Sequence, residues 1–478
     1  MSEKRFLTKR RSEASARARP EVRAGEARAD VRTEKAPRSL SMLVSSLALI
    51  AGKVATMGLG FFFWLLATQL FVPAEVGLAA GAVSAVMLCT QLALLGVGSS
   101  VIVHFPRHGA RPARLLDTAF TVVIASAFLA AVMFLLLALG AFDQLRVVAS
   151  DPAFAVSFVA MSILGTAGIL FDQISTALRR GDQALARALL FGIVTISLLA
   201  GIAAATKAAT SFAIFVTWVG GAFGACVLGA LQLRRSPVRY RFRPRLEPSL
   251  TRSLLGVGLP NHALTLTERA PGLILPIVVT ELLSAEANAA WYTAWMAAWV
   301  LYIVPIQVGM TLFAEAAHRP TELGKLVRDG IRISFTIALP ACAALAALAH
   351  FALSVLGPTY ADAGTTPLRI LVIAVVPLTL IQAYFVVCRS TGRLREATLT
   401  GATNALASVG GAAAAGIAFG LTGMAAAWVG AQLVTSVWAV TRLSRLASAS
   451  EKAARAVNGA APTPTTSEGF SSVVRGGP

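Results

Sequence analysis

Charge is scarce in this sequence of 478 residues: Asp, Glu, Lys and Arg together make up only 14%. With 56% hydrophobic residues and a mean hydropathy of +0.71, the chain is not an ordinary soluble domain. Acidic residues number 23 against 42 basic ones, a net charge of +19. In a soluble protein that excess would suggest nucleic-acid binding, but here the basic residues fall mostly in the tails and in alternate loops between apolar runs. Cysteine is sparse too. Cys89, Cys226, Cys342 and Cys388 lie within or beside apolar segments, with no CxxC pair and no histidine at metal-ligand spacing, and read as small core fillers. Catalytic signatures are missing: there is no GxxxxGK[ST] phosphate loop, no HExxH and no GxSxG elbow. The weakly basic set of turns, at most about a dozen residues each, is too short for the catalytic domain of a membrane polymerase or ligase. The chain is therefore read as a non-enzyme with no cofactor and no metal.

What is plentiful is apolar sequence. Fifty-six per cent of the chain is about 268 residues, and a bilayer-spanning helix takes ~20. Apolar windows fall near 42–70, 77–103, 117–140, 153–178, 185–206, 211–233, 254–282, 289–316, 331–356, 367–388, 397–419 and 422–444. The expected fold is an all-α polytopic membrane protein of about twelve transmembrane helices. Residues 1–40, with twelve basic and six acidic side chains among Ala, Ser and Thr, are expected to be a disordered tail, as are residues 447–478. The apolar run after the first tail is far longer than a signal-peptide h-region and is read as the first span. If that tail is cytoplasmic, the cytoplasmic turns hold Arg107, Arg111 and Arg114, then Arg179, Arg180 and Arg187, then seven arginines from Arg234 to Arg252, and later Arg319, Lys325, Arg328, Arg332, Arg389, Arg393 and Arg395. The opposite turns hold only Arg146, Lys207 and Arg369, beside five acidic residues. This bias places both termini in the cytoplasm and supports an even number of spans.

The basic stretch 234–253 divides the chain into two sets of six spans, 41–233 and 254–446. The halves echo each other. Pro73-Ala74-Glu75 falls on Ser284-Ala285-Glu286 at an offset of 211, as Gly98 does on Gly309, and Leu178-Arg179 falls on Cys388-Arg389 at an offset of 210. An even number of spans per half gives both halves one orientation, so two pseudo-symmetric six-helix lobes are expected, related by an axis along the membrane normal.

Ionisable residues inside spans are the candidate functional positions, because a charge at the centre of a membrane helix costs ~3 kcal/mol and normally faces a partner or a wet cavity. Lys53 lies about eleven residues into the first span; snorkelling to the inner headgroups is its structural alternative. Asp172, next to Gln173, lies near the inner end of span four, where pairing with Arg179 or Arg180 competes with a cavity role. Span seven carries Pro260, Pro271 and Pro276, with His262, Glu268 and Arg269 between them. Adjacent helical residues point ~100° apart, so Glu268 and Arg269 cannot share one environment unless they form a self-neutralising pair. Lys53 and Arg269 come from corresponding helices of the two halves, and a cavity lined by both would attract an anion such as a pyrophosphate. Glu268, Asp172 and His262 are the candidates for coupling to H⁺ or Na⁺. Trp291, Tyr292, Trp295 and Trp299 are either sugar-contacting or packing aromatics. His104, His108 and His318 lie in or beside basic turns, where solvation or headgroup contact is expected.

Several stretches resemble a known family. LATQLFVPAEVGLAAGAVSAVMLCTQLALLGVGSSVIVHFPR, ERAPGLILPIVVTELLSAEANAAWYTAWMAAWVLYIVPIQVGMTLFAEAAHR, LGPTYADAGTTPLRILVIAVVPLTLIQAYFVVCRSTGR and GLTGMAAAWVGAQLV, in this order, are similar to the bacterial polysaccharide biosynthesis proteins. These are the oligosaccharide-lipid flippases of the multidrug/oligosaccharidyl-lipid/polysaccharide exporter superfamily. The resemblance runs from about residue 41 to 446. It implies a two-lobed bundle in the bacterial cytoplasmic membrane, moving a polyprenyl-pyrophosphate-linked oligosaccharide outward by alternating access. It also implies a basic cavity, which Lys53 and Arg269 would match, and partners among membrane lipids and polysaccharide assembly proteins. Glu268 stands where relatives often have aspartate in an Asp-Arg pair. A drug or cation extrusion antiporter of the same superfamily is the alternative, and would place acidic residues in the cavity.

Overall fold

The computed structural model describes residues 52, 56–105, 112–205, 210–236, 238–318 and 322–459, and these form an all-helical membrane protein. Lys53 and the tail 1–40 lie outside the described residues. The first half contains α1 (Thr56–Leu70), α2 (Pro73–Leu94), α3 (Val97–His104), α4 (Pro112–Ala141), α5 (Arg146–Ser150), α6 (Pro152–Ala177), α7 (Gly181–Ala205) and α8 (Ser211–Arg235). The second contains α9 (Pro248–Leu282), α10 (Ala285–His318), α11 (Leu323–Ser354), α12 (Pro358–Ile373), α13 (Val375–Ser390) and α14 (Leu394–Gly459).

Among the described residues, nine of these helices are long and apolar enough to cross a membrane, and α12 with α13, bent by 40°, makes a tenth span. α14 is two spans in one. Gly420 takes φ 60°, ψ −155°, a conformation open to glycine, and breaks the helix there. Across the break Arg442 meets Glu396 at 2.7 Å, Thr435 meets Asn404 at 2.8 Å and Met424 packs on Gly416, the pattern of an antiparallel hairpin. With the shorter apolar α1, the predicted series of twelve apolar segments is present. Local chemistry explains the helix starts. Asp151 accepts hydrogen bonds from the Ala153 and Phe154 amides at 2.8 and 3.1 Å, and Pro152 occupies the first turn of α6.

Two ends differ from expectation. α9 begins at Pro248 rather than near residue 254, because a proline at the first turn suits a helix start and the arginine that follows is a good helix former. α14 runs on to Gly459, so the segment 447–478, expected as a disordered tail, begins as helix; Ala453, Ala454, Arg455 and Ala456 favour that state.

The two halves of the chain, here lobes α1–α8 and α9–α14, meet mainly through α2 against α9 and α10. The core is continuous at one end only. There, Phe63, Trp64, Phe158 and Trp218 of the first lobe join Trp291, Trp295, Tyr302 and Trp428 of the second in one cluster. At the end bearing the arginine-rich turns the core divides. One cluster holds Val101, Leu115, Leu170 and Leu254; the other holds Leu264, Val327, Tyr384 and Leu443. At that end the first cluster takes in Leu254 of α9, so the lobes still meet there through α3 and the start of α9.

Candidate functional site: the crevice between the lobes

Backbone approach at small residues makes the sealed end. A Cβ on Gly77 of α2 would lie 1.6 Å from the Ala285 carbonyl oxygen of α10, and the buried Asn288 amide donates to the Gly77 carbonyl at 2.8 Å. Glu281 of α9 accepts hydrogen bonds from the Asp143, Gln144 and Leu145 amides at 2.8, 3.1 and 2.7 Å, so one carboxylate bridges the lobes. Gln69 donates to the Val355 carbonyl at 2.9 Å. At the other end α3 still touches the start of α9. Ser100 Oγ donates to the Leu254 carbonyl at 2.6 Å, and His104 donates from Nδ1 to the Ser100 carbonyl while Nε2 accepts from Ser253 Oγ at 2.9 Å. His104 is therefore a buried contact between lobes and not the solvated residue expected; α3 turns it toward α9. His108 lies outside the described residues, as does the side chain of His318.

Between these contacts α2 and α9 run different lengths. Thr280 Oγ1 packs against Gly81, and His262 Nε2 donates to the Gln91 carbonyl at 2.8 Å. From Gly81 to Gln91 α2 advances ten residues, about 15 Å, while from His262 to Thr280 α9 advances eighteen, about 27 Å. The longer path fits the shorter one where α9 bows or slants away from α2 between the two contacts. Pro271 and Pro276 lie in that stretch and Pro260 just before it, where each removes a backbone donor and bends the helix. Arg269 is at the middle of the bow. It lies seven residues from His262 and eleven from both Gly258 and Thr280, so it shares the face that meets α2 at all three. Arg269 is exposed, and among the described residues it forms no ion pair. Arg269 therefore stands on the α2-facing side of α9, midway between the points where the two helices touch.

The other predicted positions go elsewhere. Glu268, about 100° around the helix from Arg269, pairs with Arg389 of α13 at 2.8 Å and accepts from Gln382 at 3.2 Å, inside the second lobe. The adjacent residues do not neutralise each other. Asp172 pairs with Arg187 of α7 at 2.7 Å, not with Arg179 or Arg180; Arg180 is instead held by Asp182 at 3.0 Å. Arg187 also donates to Ser175 at 2.9 Å and to Gln232 of α8. Trp291, Tyr292 and Trp295 are buried packing residues: Trp64 meets Tyr292 at 4.8 Å and Trp295 meets Trp428 at 4.8 Å between ring centroids.

Three residues escaped the sequence reading: Arg187 and Arg389, taken for turn residues of the basic set, and Glu281, at the end of span seven. The internal repeat carried a signal for the first. Arg187 ties Asp172 of α6 to Gln232 of α8; 209 positions later Glu396 ties Tyr384 of α13 at 3.3 Å to Arg442 at 2.7 Å. The two lobes have the same three-helix clamp with its charges exchanged. A separate apolar cavity of about 470 Å³, lined by residues such as Leu164, Leu198, Ile202 and Phe223 of α6, α7 and α8, contains no charged group and suits hydrocarbon only.

Solved structures share this architecture. An inward-facing multidrug resistance MATE family transporter of the MOP superfamily superposes with a TM-score of 0.61 at 18% identity, covering 83% of this chain and 98% of that one. The lipid II flippase MurJ in an inward closed conformation gives 0.62 at 12% identity, covering 88% and 93%. A MOP superfamily transporter from Pyrococcus furiosus, described as having reversed polarity of its binding pocket, gives 0.57 at 16% identity, covering 85% and 96%. No family model matches the chain, and no curated protein matches it by sequence. The chain has the fold that these MATE and MurJ structures share.

Proposed function

We infer that this protein is a flippase that moves a polyprenyl-pyrophosphate-linked oligosaccharide across a bacterial cytoplasmic membrane by alternating access, for surface polysaccharide assembly. The observation that carries the reading is Arg269, an exposed guanidinium without an ion-pair partner among the described residues, on the side of α9 that faces α2; the space between the lobes there is the proposed substrate crevice. A planar guanidinium suits a pyrophosphate, and Lys53, which the sequence puts in the corresponding apolar segment of the first half, is the proposed second cation. With the basic turns and both termini in the cytoplasm, the divided end of the core faces inward, where such a substrate would enter. The substrate, the surrounding lipids and polysaccharide assembly proteins are the proposed partners; no catalytic step is required. With the cell interior negative, moving its negative charge outward gains ~2.3 kcal/mol per charge per 100 mV, which suffices as a driving force. A drug or cation extruder needs a free acid in its cavity, and Glu268 and Asp172 are both engaged by arginine.

Deleting the gene and analysing membrane lipids by mass spectrometry tests the reading. A polyprenyl-pyrophosphate oligosaccharide should accumulate, and the wild-type gene but not Lys53→Ala/Arg269→Ala should clear it. No accumulation, with greater retention of cationic dyes, would replace this reading by the extruder. Transport sensitive to external pH or Na⁺ would bring ion coupling at Glu268, Asp172 or His262 back into the mechanism.

A further inference from the structure

The chain between α8 and α9 is an extended strap built onto α4. α8 ends at Arg235; Arg239 takes a left-handed φ of 46° and the Tyr240 amide donates to the Leu233 carbonyl at 3.1 Å, turning the chain back over the helix end. Beyond that turn two sets of contacts repeat every second residue. Tyr240 and Phe242 both rest on Phe120 of α4, each with ring centroids 6.0 Å apart. The amides of Arg243 and Arg245 donate to Asp117 Oδ1 at 2.9 Å and Thr121 Oγ1 at 3.1 Å. That period is the signature of extended chain. The Tyr240 hydroxyl donates to the same Asp117 oxygen at 2.8 Å, and burial beside that carboxylate holds the phenol well above its usual pKa, so the strap keeps this anchor at any physiological pH.

The same period decides where the arginines go. Arg241, Arg243 and Arg245 fall on the face opposite Tyr240 and Phe242, about 7 Å apart. All three are exposed, and none forms an ion pair among the described residues. Arg114, Arg234 and Arg235 are exposed at the adjoining ends of α4 and α8. The strap's depth follows from α4. Its 30 residues span about 45 Å against a hydrocarbon core of ~30 Å, so roughly its first turn and a half stands in the headgroup layer and Asp117 marks the boundary. Phe242 and Leu246, both exposed, complete an amphipathic edge at that level.

We propose that this strap is a binding site for anionic phospholipid headgroups of the leaflet it borders, with Arg241, Arg243 and Arg245 on the phosphates and the aromatic anchors holding the three in line. It uses none of the residues assigned to the crevice and stands whatever the crevice carries. A structureless basic linker would attract the same lipids only diffusely; the row of side chains on a fixed edge makes a site.

The test is native mass spectrometry of the purified full chain in neutral detergent, titrated with phosphatidylglycerol and, separately, phosphatidylcholine. Phosphatidylglycerol should bind preferentially and lose that preference as ionic strength rises. Arg241→Gln/Arg243→Gln/Arg245→Gln should weaken it about fivefold per arginine, roughly 100-fold in all, with phosphatidylcholine unaffected. The triple lysine variant should keep most of the affinity, which separates charge from any loss of fold. Equal binding of the two lipids by the wild type, or an unchanged glutamine variant, would overturn the proposal.

Discussion

Replacing Gly77 by alanine should force the lobes apart at their sealed end. The new methyl would sit 1.6 Å from the Ala285 carbonyl oxygen and 2.8 Å from the Ala289 nitrogen, both backbone atoms that cannot swing aside. Restoring ordinary contact needs α2 and α10 to separate by about 1.5–2 Å, which breaks the bond from the Asn288 amide to the Gly77 carbonyl. Losing that bond costs about 1 kcal/mol, and leaving a fully buried amide without its acceptor adds ~1–3. The sealed arrangement should therefore lose about 2–4 kcal/mol, thirtyfold or more in population. Gln69→Cys with Val355→Cys, placed where the Gln69 amide now meets the Val355 carbonyl at 2.9 Å, reports on that seal through the rate of cross-linking by a short bismaleimide. Gly77→Ala should slow the reaction at least tenfold. Helix propensity alone predicts the opposite, a gain of ~1 kcal/mol from alanine inside a helix. Unchanged cross-linking together with a raised melting temperature would refute the close approach.

Arg187→Met removes the centre of the first lobe's clamp. Because Asp172 keeps half its side chain exposed and can rehydrate, the expected loss is about 2–3 kcal/mol, below the ~3–5 of a wholly buried pair, and Asp172→Asn in the same chain should recover part of it in detergent melting curves. Glu268→Gln and Arg269→Gln, one residue apart, should behave oppositely. The first should cost about 1–3 kcal/mol of stability by stranding Arg389, whereas the second should stay within ~0.5 kcal/mol of wild type while stopping lipid export; equal melting losses would contradict the placement of Arg269. Glu281→Ala frees three amides, so hydrogen exchange at residues 143–145 should accelerate and the Gln69–Val355 cross-link should slow. Unchanged exchange there would show that Glu281 is not the bridge.

The helical, membrane-spanning character of the chain follows from the sequence alone, because a bilayer imposes one rule on every span: some twenty apolar residues with the backbone bonded to itself. The same rule made the apolar segments legible before any contact was known. Span seven stood out as polar and proline-rich, and the ~100° between Glu268 and Arg269 pointed to two environments unless the two formed a self-neutralising pair. Which residue took which environment was not legible. That depended on the rotation of α9 about its axis, set by Gly96 against Gly258 and Gly81 against Thr280 far along the helix. Partner choice was equally hidden. For Asp172 a pairing with Arg179 or Arg180 and a cavity role stood side by side, yet it reached Arg187, fifteen residues on, because the turn after α6 brings α7 back alongside it. Helical repeats and hydropathy are properties of one chain segment against its solvent, whereas the bow of α9, the exchanged-charge clamps and the straightened edge of the strap depend on distances between segments, and only the packed molecule decides those.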